Sequence, residues 1–229
     1  YVSGVLNDGP GPQAGGFPEY FMEYPENIDL YGISINTTTP GGWSLGAEYS
    51  FREDVPLQWN AFELIYAGLQ LPTNPNDPNS TPVSLLQQQR QKELGADFDI
   101  NGLRASGYDR YNVSQFQFTL IKFFDQVMGA SRLSLINEVG MTWVHDLPGY
   151  DEARYGRSGT FGVGPVPTPA GDICPQLNLN PDYCENDGYT TDFSWGYRTR
   201  LVWDYPNVFA GVNLSPQLAW SHDVEGYSP

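Results

Sequence analysis

Apolar and polar residues alternate one for one along several stretches of the chain. From Trp43 to Arg52, the residues Trp43, Leu45, Ala47, Tyr49 and Phe51 fall on one side. Ser44, Gly46, Glu48, Ser50 and Arg52 fall on the other. This period of two marks a strand with one apolar and one polar face. Between Tyr111 and Phe124, Phe116, Phe118 and Leu120 oppose Gln115, Gln117 and Thr119. From Arg132 to His145, Leu133, Leu135, Val139, Met141 and Trp143 oppose Ser134, Glu138, Gly140 and Thr142. From Thr190 to Trp203, Phe193, Trp195, Tyr197, Leu201 and Trp203 oppose Asp192, Ser194, Gly196, Arg198 and Arg200. Ile28–Thr38 and Val208–Ser221 read as strands with weaker alternation.

The connections alternate in length. Thr39–Gly42, Asp125–Ala130 and Asp204–Asn207 are short, whereas those spanning about Glu53–Arg110 and Asp146–Tyr189 are long. Short turns on one rim and long loops on the other are how outer-membrane barrels are built, and a soluble sandwich has no reason to sort its loops this way. The expected fold is therefore all-β: an antiparallel, up-and-down transmembrane β-barrel segment with long extracellular loops. Pro82–Leu94, with Val83, Leu85, Leu86 and Leu94 among glutamines, is the one candidate loop helix. Leu57–Leu71 makes the same connection partly apolar, and such loops often fold over or into a pore.

Aromatic residues agree with a membrane setting. Trp43, Phe123, Phe124, Trp203 and Tyr205 lie beside the short turns. Tyr49, Phe51, Tyr111, Trp143, Phe193 and Trp195 lie towards the long loops. Two such belts are expected where rings sit at both headgroup levels. The strand ends also repeat. Arg52–Pro56, His145–Pro148 and His222–Glu225 follow strands of one direction, and Trp143-x-His145-Asp146-x-x-Gly149-Tyr150 matches Trp220-x-His222-Asp223-x-x-Gly226-Tyr227. A two-strand repeat fits a meander.

Charge narrows the function classes. A formal net charge of -16 leaves little to neutralise phosphates, so nucleic acid is excluded as a partner. Cys174 and Cys184, close together in a Pro/Asn/Asp-rich segment, point to a local disulfide made in an oxidising compartment. Asp97, Asp99 and Asn101 begin like a calcium loop, but Tyr108 stands where the closing Glu belongs. That leaves at most a loosely bound calcium, and no other cofactor. The His145-Asp146 and His222-Asp223 pairs sit on strands separated by another strand, about 9–10 Å apart, so rim hydrogen bonding fits better than a metal. Glu48, Arg52, Gln115, Gln117, Glu138, Arg198 and Arg200 project from the polar faces and would line the lumen, either bracing it or flanking a solute path. Nucleophile elbows, phosphate loops and zinc-protease helices are missing from the sequence, so an enzyme is not expected.

Tyr24-Pro25-Glu26-Asn27-Ile28-x-Leu30-Tyr31-Gly32 and Gly46-Ala47-Glu48-Tyr49-Ser50-Phe51-Arg52, with Asp54-Val55-Pro56, resemble the bacterial family called domain of unknown function 1302. The closing Leu218–Pro229 does too. The resemblance implies a larger outer-membrane barrel of a Gram-negative bacterium, in contact with outer-membrane lipid and lipopolysaccharide. It further implies an envelope lipoprotein and an inner-membrane transporter as partners, and a role in moving hydrophobic compounds. It supplies no catalytic residues.

The expectation is one barrel segment over residues 1–229, lacking N- and C-terminal strands. Six strands and a fragment at Tyr1–Leu6 fall short of the roughly eight of the smallest membrane barrels. The function expected is passage or export of hydrophobic or amphipathic small molecules. The alternatives are a barrel that anchors acidic loops for partners, cations or lipopolysaccharide, and a soluble secreted β-sandwich.

Overall fold

A computed structural model describes residues 1–5, 19–77, 80–95 and 102–229. Its elements in chain order are β1 (Val2–Val5), β2 (Glu19–Met22), β3 (Leu30–Thr38), β4 (Trp43–Gln58), α1 (Ala61–Leu69), α2 (Leu85–Leu94), β5 (Arg104–Ala105) and β6 (Tyr108–Asp125). They continue with β7 (Arg132–Val144), β8 (Pro167–Thr168), β9 (Gly171–Asp172), α3 (Cys174–Leu177), β10 (Phe193–Phe209), β11 (Val212–Leu214) and β12 (Gln217–Glu225). The main sheet is an antiparallel meander in the order β3-β4-β6-β7-β10, with β11 and β12 both pairing with β10. Each long strand thus pairs with its neighbours in sequence, as the alternating segments predict. The described residues form an open sheet rather than a closed barrel, with β3 at one edge and β11 and β12 at the other.

Three strands run longer than their alternation suggests. β4 passes through a bulge between Arg52 and Val55, and Val55–Gln58 then pairs with Tyr108–Tyr111. Asp54 takes a positive φ of 56° there, the local kink that an extra residue demands. Asp146 (φ 57°) and Gly226 (φ 72°) adopt the left-handed conformation at the two related strand ends. β10 continues through Asp204–Asn207, which is therefore not the turn. The reversal comes at Ala210 and Gly211, both with positive φ (48° and 82°), as a two-residue hairpin requires. Pro206 is tolerated because β7 pairs with β10 only as far as Asp204, so the ribbon beyond has one free side.

Of the Tyr1–Leu6 fragment, the described residues 1–5 do not supply a strand of the main sheet. β1 pairs with β2 and with β5 in a small separate sheet. Gln58 holds it in place: its side chain accepts from Val2 N at 2.8 Å and donates to Val2 O at 2.9 Å and Gly107 O at 2.6 Å. Gly107 is required for this approach, since a Cβ added there would lie 2.0 Å from the Val2 carbonyl oxygen.

The long connections contain more helix than the single segment predicted. α2 falls inside Pro82–Leu94, but α1 and the short α3 are additional. Asn60 caps α1, its side chain accepting from Phe62 N at 3.0 Å, and Ser84 caps α2 by accepting from Gln87 N at 3.2 Å. No helix among the described residues is long and apolar enough to cross a membrane, which says nothing of strands.

The buried core lies in these connections, not under the sheet. One cluster joins Leu57, Trp59, Ala67, Leu86, Ala153 and Tyr155 to Val113 and Val144, at the long-connection end of β6 and β7. A second joins Tyr66, Val83, Val163, Val166 and Cys174. The two long connections therefore fold on each other as one body.

Candidate functional site

Strand register decides which side chains share a face, because directly paired residues point the same way. Glu48 pairs with Gln117, Gln117 with Gly140, Gly140 with Gly196, and Gly196 with Asp223. The next row on that face is Gly46, Thr119, Glu138, Arg198 and Ser221. Gln115 pairs with Ser50 and Thr142, and Arg200 with Ile136 and Ala219. Six of the seven polar candidates thus stand together on one face beside small residues. Arg52 pairs with Val113 on that face, but at the long-connection end, where it is exposed.

The opposite face is apolar over most of the same span, with a polar pair where Asn137 donates to Thr199 at 2.6 Å. Ala47, Phe118, Val139 and Tyr197 form one row; Tyr49, Phe116, Met141 and Trp195 form the next. None of Phe116, Phe118, Leu135, Val139, Met141, Trp195 or Leu201 is in the buried core, and each keeps part of its surface open. A sandwich would bury such a face beneath a second sheet. Among the described residues, nothing does.

Rings flank this band at both ends. Trp43 meets Phe124 edge-on at 6.2 Å between centroids, and Trp143 lies 5.3 Å from Phe193. Lys122, on the apolar face, places its ammonium between the Trp43 and Phe124 rings, 5.7 and 5.8 Å from their centroids, and donates to Gly41 O at the short turn. Its stem covers apolar surface while its charge reaches the rim. Two residues leave the expected belts. Tyr111 packs on the buried loop core, its hydroxyl 2.7 Å from that of Tyr155. Phe123 pairs with Ser134 on the polar side, where Arg132 lies over its ring. Alternation reverses a side chain with each residue, which proximity to a turn does not reveal.

A cavity of about 820 Å³ lies over the polar face, lined by Gln115, Gln117, Glu138, Thr142, Arg198 and Asp223. Arg157, Ser158 and Gly188 of the second long connection line it too, so this connection stands over the face. Glu138 and Arg198 are register partners. Even so, the ion pairs among the described residues are Arg90–Glu93, Arg90–Asp109, Arg132–Asp125 and Arg154–Glu63. The charges on the polar face are not locked to each other. Arg200 instead donates to Gln217.

Apart from the exposed Arg132–Asp125 pair at a short turn, the ion-paired charges sit in the loop body, where the sequence pattern did not point. Asp109 accepts from Trp59 Nε1 at 2.6 Å, from the Tyr155 hydroxyl at 2.7 Å and from Arg90 Nη2 at 2.7 Å. Burial pushes the Tyr155 hydroxyl up, and its bond with Tyr111 pushes the same way. Burial likewise raises Glu63, against the pull of Arg154. The pattern Asn60-x-x-Glu63 ahead of an apolar run would have been the sequence signal for α1.

Cys174 and Cys184 are bonded to each other. The bridge packs with Tyr66 and Val83 of the first connection and so helps join the two. His145 Nε2 lies 2.7 Å from Ser114 Oγ, which lies 3.0 Å from the Tyr49 hydroxyl, a hydrogen-bonded chain near the rim. Ser114 is buried and flanked by strand neighbours. His222 packs edge-on against Tyr197 at 5.7 Å. Asp97, Asp99 and Asn101 lie outside the described residues. Among the described ones, no group of three or more His, Cys, Asp or Glu could hold a metal ion.

The family model for DUF1302, described as a protein of unknown function, matches residues 8–229. The chain belongs to that family. A search of the curated proteins and of the solved structures finds no match to it. For this DUF1302 member, function must be argued from the two faces of the sheet.

Proposed function

We propose that the protein is an outer-membrane β-barrel of a Gram-negative bacterium that passes or exports hydrophobic or amphipathic small molecules. The observation that carries this reading is the uncovered apolar face, backed by a polar face lined by unlocked charges. From Trp43 to Phe51 the apolar band spans nine residues, matching the roughly 9–11 that a tilted transmembrane strand needs. In lipid, the open edges at β3 and β12 need strand partners, because unpaired backbone groups in hydrocarbon cost several kcal/mol each. Outer-membrane lipid and lipopolysaccharide are the contacts this reading expects. An envelope lipoprotein and an inner-membrane transporter are partners suggested by the family resemblance.

One observation favours the second reading, a barrel that chiefly anchors its acidic loops. The second long connection stands over the polar face, where a fixed plug would block a path. Unlocked Glu138 and Arg198 beneath it speak for a path instead.

The test is localisation followed by flux. Full-length protein should fractionate with outer membranes and run as a heat-modifiable band. Cells lacking it should clear a lipophilic dye more slowly than wild type, with rescue by the intact gene. A protein that is monodisperse without detergent ends the membrane reading. An outer-membrane protein whose loss leaves dye clearance unchanged supports anchoring.

A further inference from the structure

The loop body holds a second cavity, separate from the polar one. It measures about 620 Å³ and lies between β1, β2 and α1, walled by Val2, Trp59, Ala61, Leu64, Ile65 and Leu69. That volume falls within the range of about 300–1,000 Å³ usual for small-molecule sites.

Its polar neighbours mostly turn their polarity elsewhere. Gln58 spends its amide on Val2 and Gly107, Trp59 Nε1 donates to Asp109, and the Ser3 hydroxyl bonds Glu23 and Gly107. Glu19 and Tyr20 also line the cavity and are exposed. What the wall offers is therefore apolar surface.

Arg157 differs from the rest of the wall. It is the residue that lines both this cavity and the polar one over the sheet. Its Nη1 donates to Glu185 O at 2.7 Å, and its Nη2 donates to Tyr183 O at 2.8 Å and Phe161 O at 3.3 Å. Its ring neighbours are Tyr189 and Phe161, 4.8 and 5.9 Å from the guanidinium carbon. No carboxylate forms an ion pair with it among the described residues. A rigidly held cation without a carboxylate partner, beside apolar surface, suits the charged end of an amphipathic anion.

We propose that this cavity binds amphipathic carboxylates of the fatty-acid type, the apolar chain against Leu64, Ile65 and Leu69 and the carboxylate at Arg157. Arg157 would then be the point of transfer between the apolar cavity and the polar face. The proposal deepens the transport reading and rests on it for the purpose of binding, although binding itself can be measured separately.

The experiment uses the full-length protein in lipid nanodiscs, labelled with a photoactivatable diazirine analogue of palmitate and mapped by mass spectrometry. Label is expected within residues 58–69 and 156–157, displaced by oleate. Leu64→Trp, which fills the cavity, should abolish it. Arg157→Gln should weaken displacement by oleate about tenfold or more, since a charge-assisted bond is lost, yet leave displacement by oleyl alcohol unchanged. Arg157→Lys should restore much of the oleate effect. Disulfide formation and heat-modifiable migration report whether each variant folds. Label confined to the lipid-facing strands, or oleate and oleyl alcohol equally affected by Arg157→Gln, would overturn the proposal. Normal dye clearance by a Leu64→Trp variant that has lost palmitate labelling would overturn Arg157 as a transfer point and leave the barrel reading intact.

Discussion

Glu63 Oε1 and Arg154 Nη1 lie 3.5 Å apart in the buried interior of the loop body, although 91 residues separate them in sequence. Each is tied further into its own surroundings. Glu63 Oε2 accepts from Leu85 N at 2.7 Å, at the start of α2. Arg154 Nε donates to Tyr150 O at 2.8 Å and its Nη2 to Pro165 O at 2.5 Å. The pair thereby clamps α1, α2 and the second connection together. Removing one partner of a buried ion pair strands the other charge, at a cost of about 3–5 kcal/mol. Arg154→Met should therefore speed hydrogen exchange in residues 59–77 and 145–190 while leaving exchange in β6 and β7 unchanged. Equal acceleration in strands and loops would mean that the pair does not act locally.

The same pair sets a pH dependence. Burial is the largest influence on Glu63 and raises its pKa above 4.5, Arg154 opposing. A carboxyl raised on folding holds its proton more tightly in the folded state. Its contribution is fully present below the unfolded value near 4.5 and is lost as pH rises through the raised folded value. Wild-type loop stability, relative to Glu63→Gln, should therefore improve as pH falls through that window. Exchange rates of the two proteins across the window supply the measurement. A relative loss on acidification would show that Arg154 outweighs burial and that Glu63 is held charged.

Reduction should act on the loop body as well. The Cys174–Cys184 bond closes a loop of sequence separation 10, a constraint worth about 2–3 kcal/mol in the chain-entropy account. Cys174→Ser with Cys184→Ser should expose residues 159–189 to limited proteolysis and leave the strands resistant. Unchanged cleavage would assign the order of that segment to the packing of Val163 and Val166 alone.

Strand pairing was legible in the sequence because alternation in β4, β6, β7 and β10 carries the register with it. Phe118 and Val139 each sit in a period-two run, so their pairing needed no other information. The loop body was not legible. Glu63 meets Arg154 and Trp59 meets Tyr155 across two connections, and nothing periodic links positions so far apart. A buried Arg looks like any other Arg in a sequence. Pro206 misled for a specific reason: it ends a central strand, but here it lies on a projecting ribbon with a free side. Val2–Val5 misled because a short strand carries no sign of which sheet it joins.

The two faces of the sheet give the sharpest prediction. Phe118 and Val139 are paired neighbours in the middle of the apolar band, and Gln117 and Gly140 are the adjacent pair on the polar face. If lipid covers the apolar band, Phe118→Arg and Val139→Arg should each cost about 2–4 kcal/mol, the depth-dependent penalty for an Arg facing the midplane of a barrel. Gln117→Arg should cost far less, because a side chain there meets solvated polar groups such as Glu48 and can pair with them. The measurement is denaturant-driven unfolding of the full-length protein from lipid vesicles. Adjacent positions make it severe: Gln117 and Phe118 differ by one residue and by nothing else in depth or strand. Equal costs at the two positions would mean that neither face meets hydrocarbon. A larger cost at Gln117 would mean that the polar face is the packed one, and the barrel reading would fall with it.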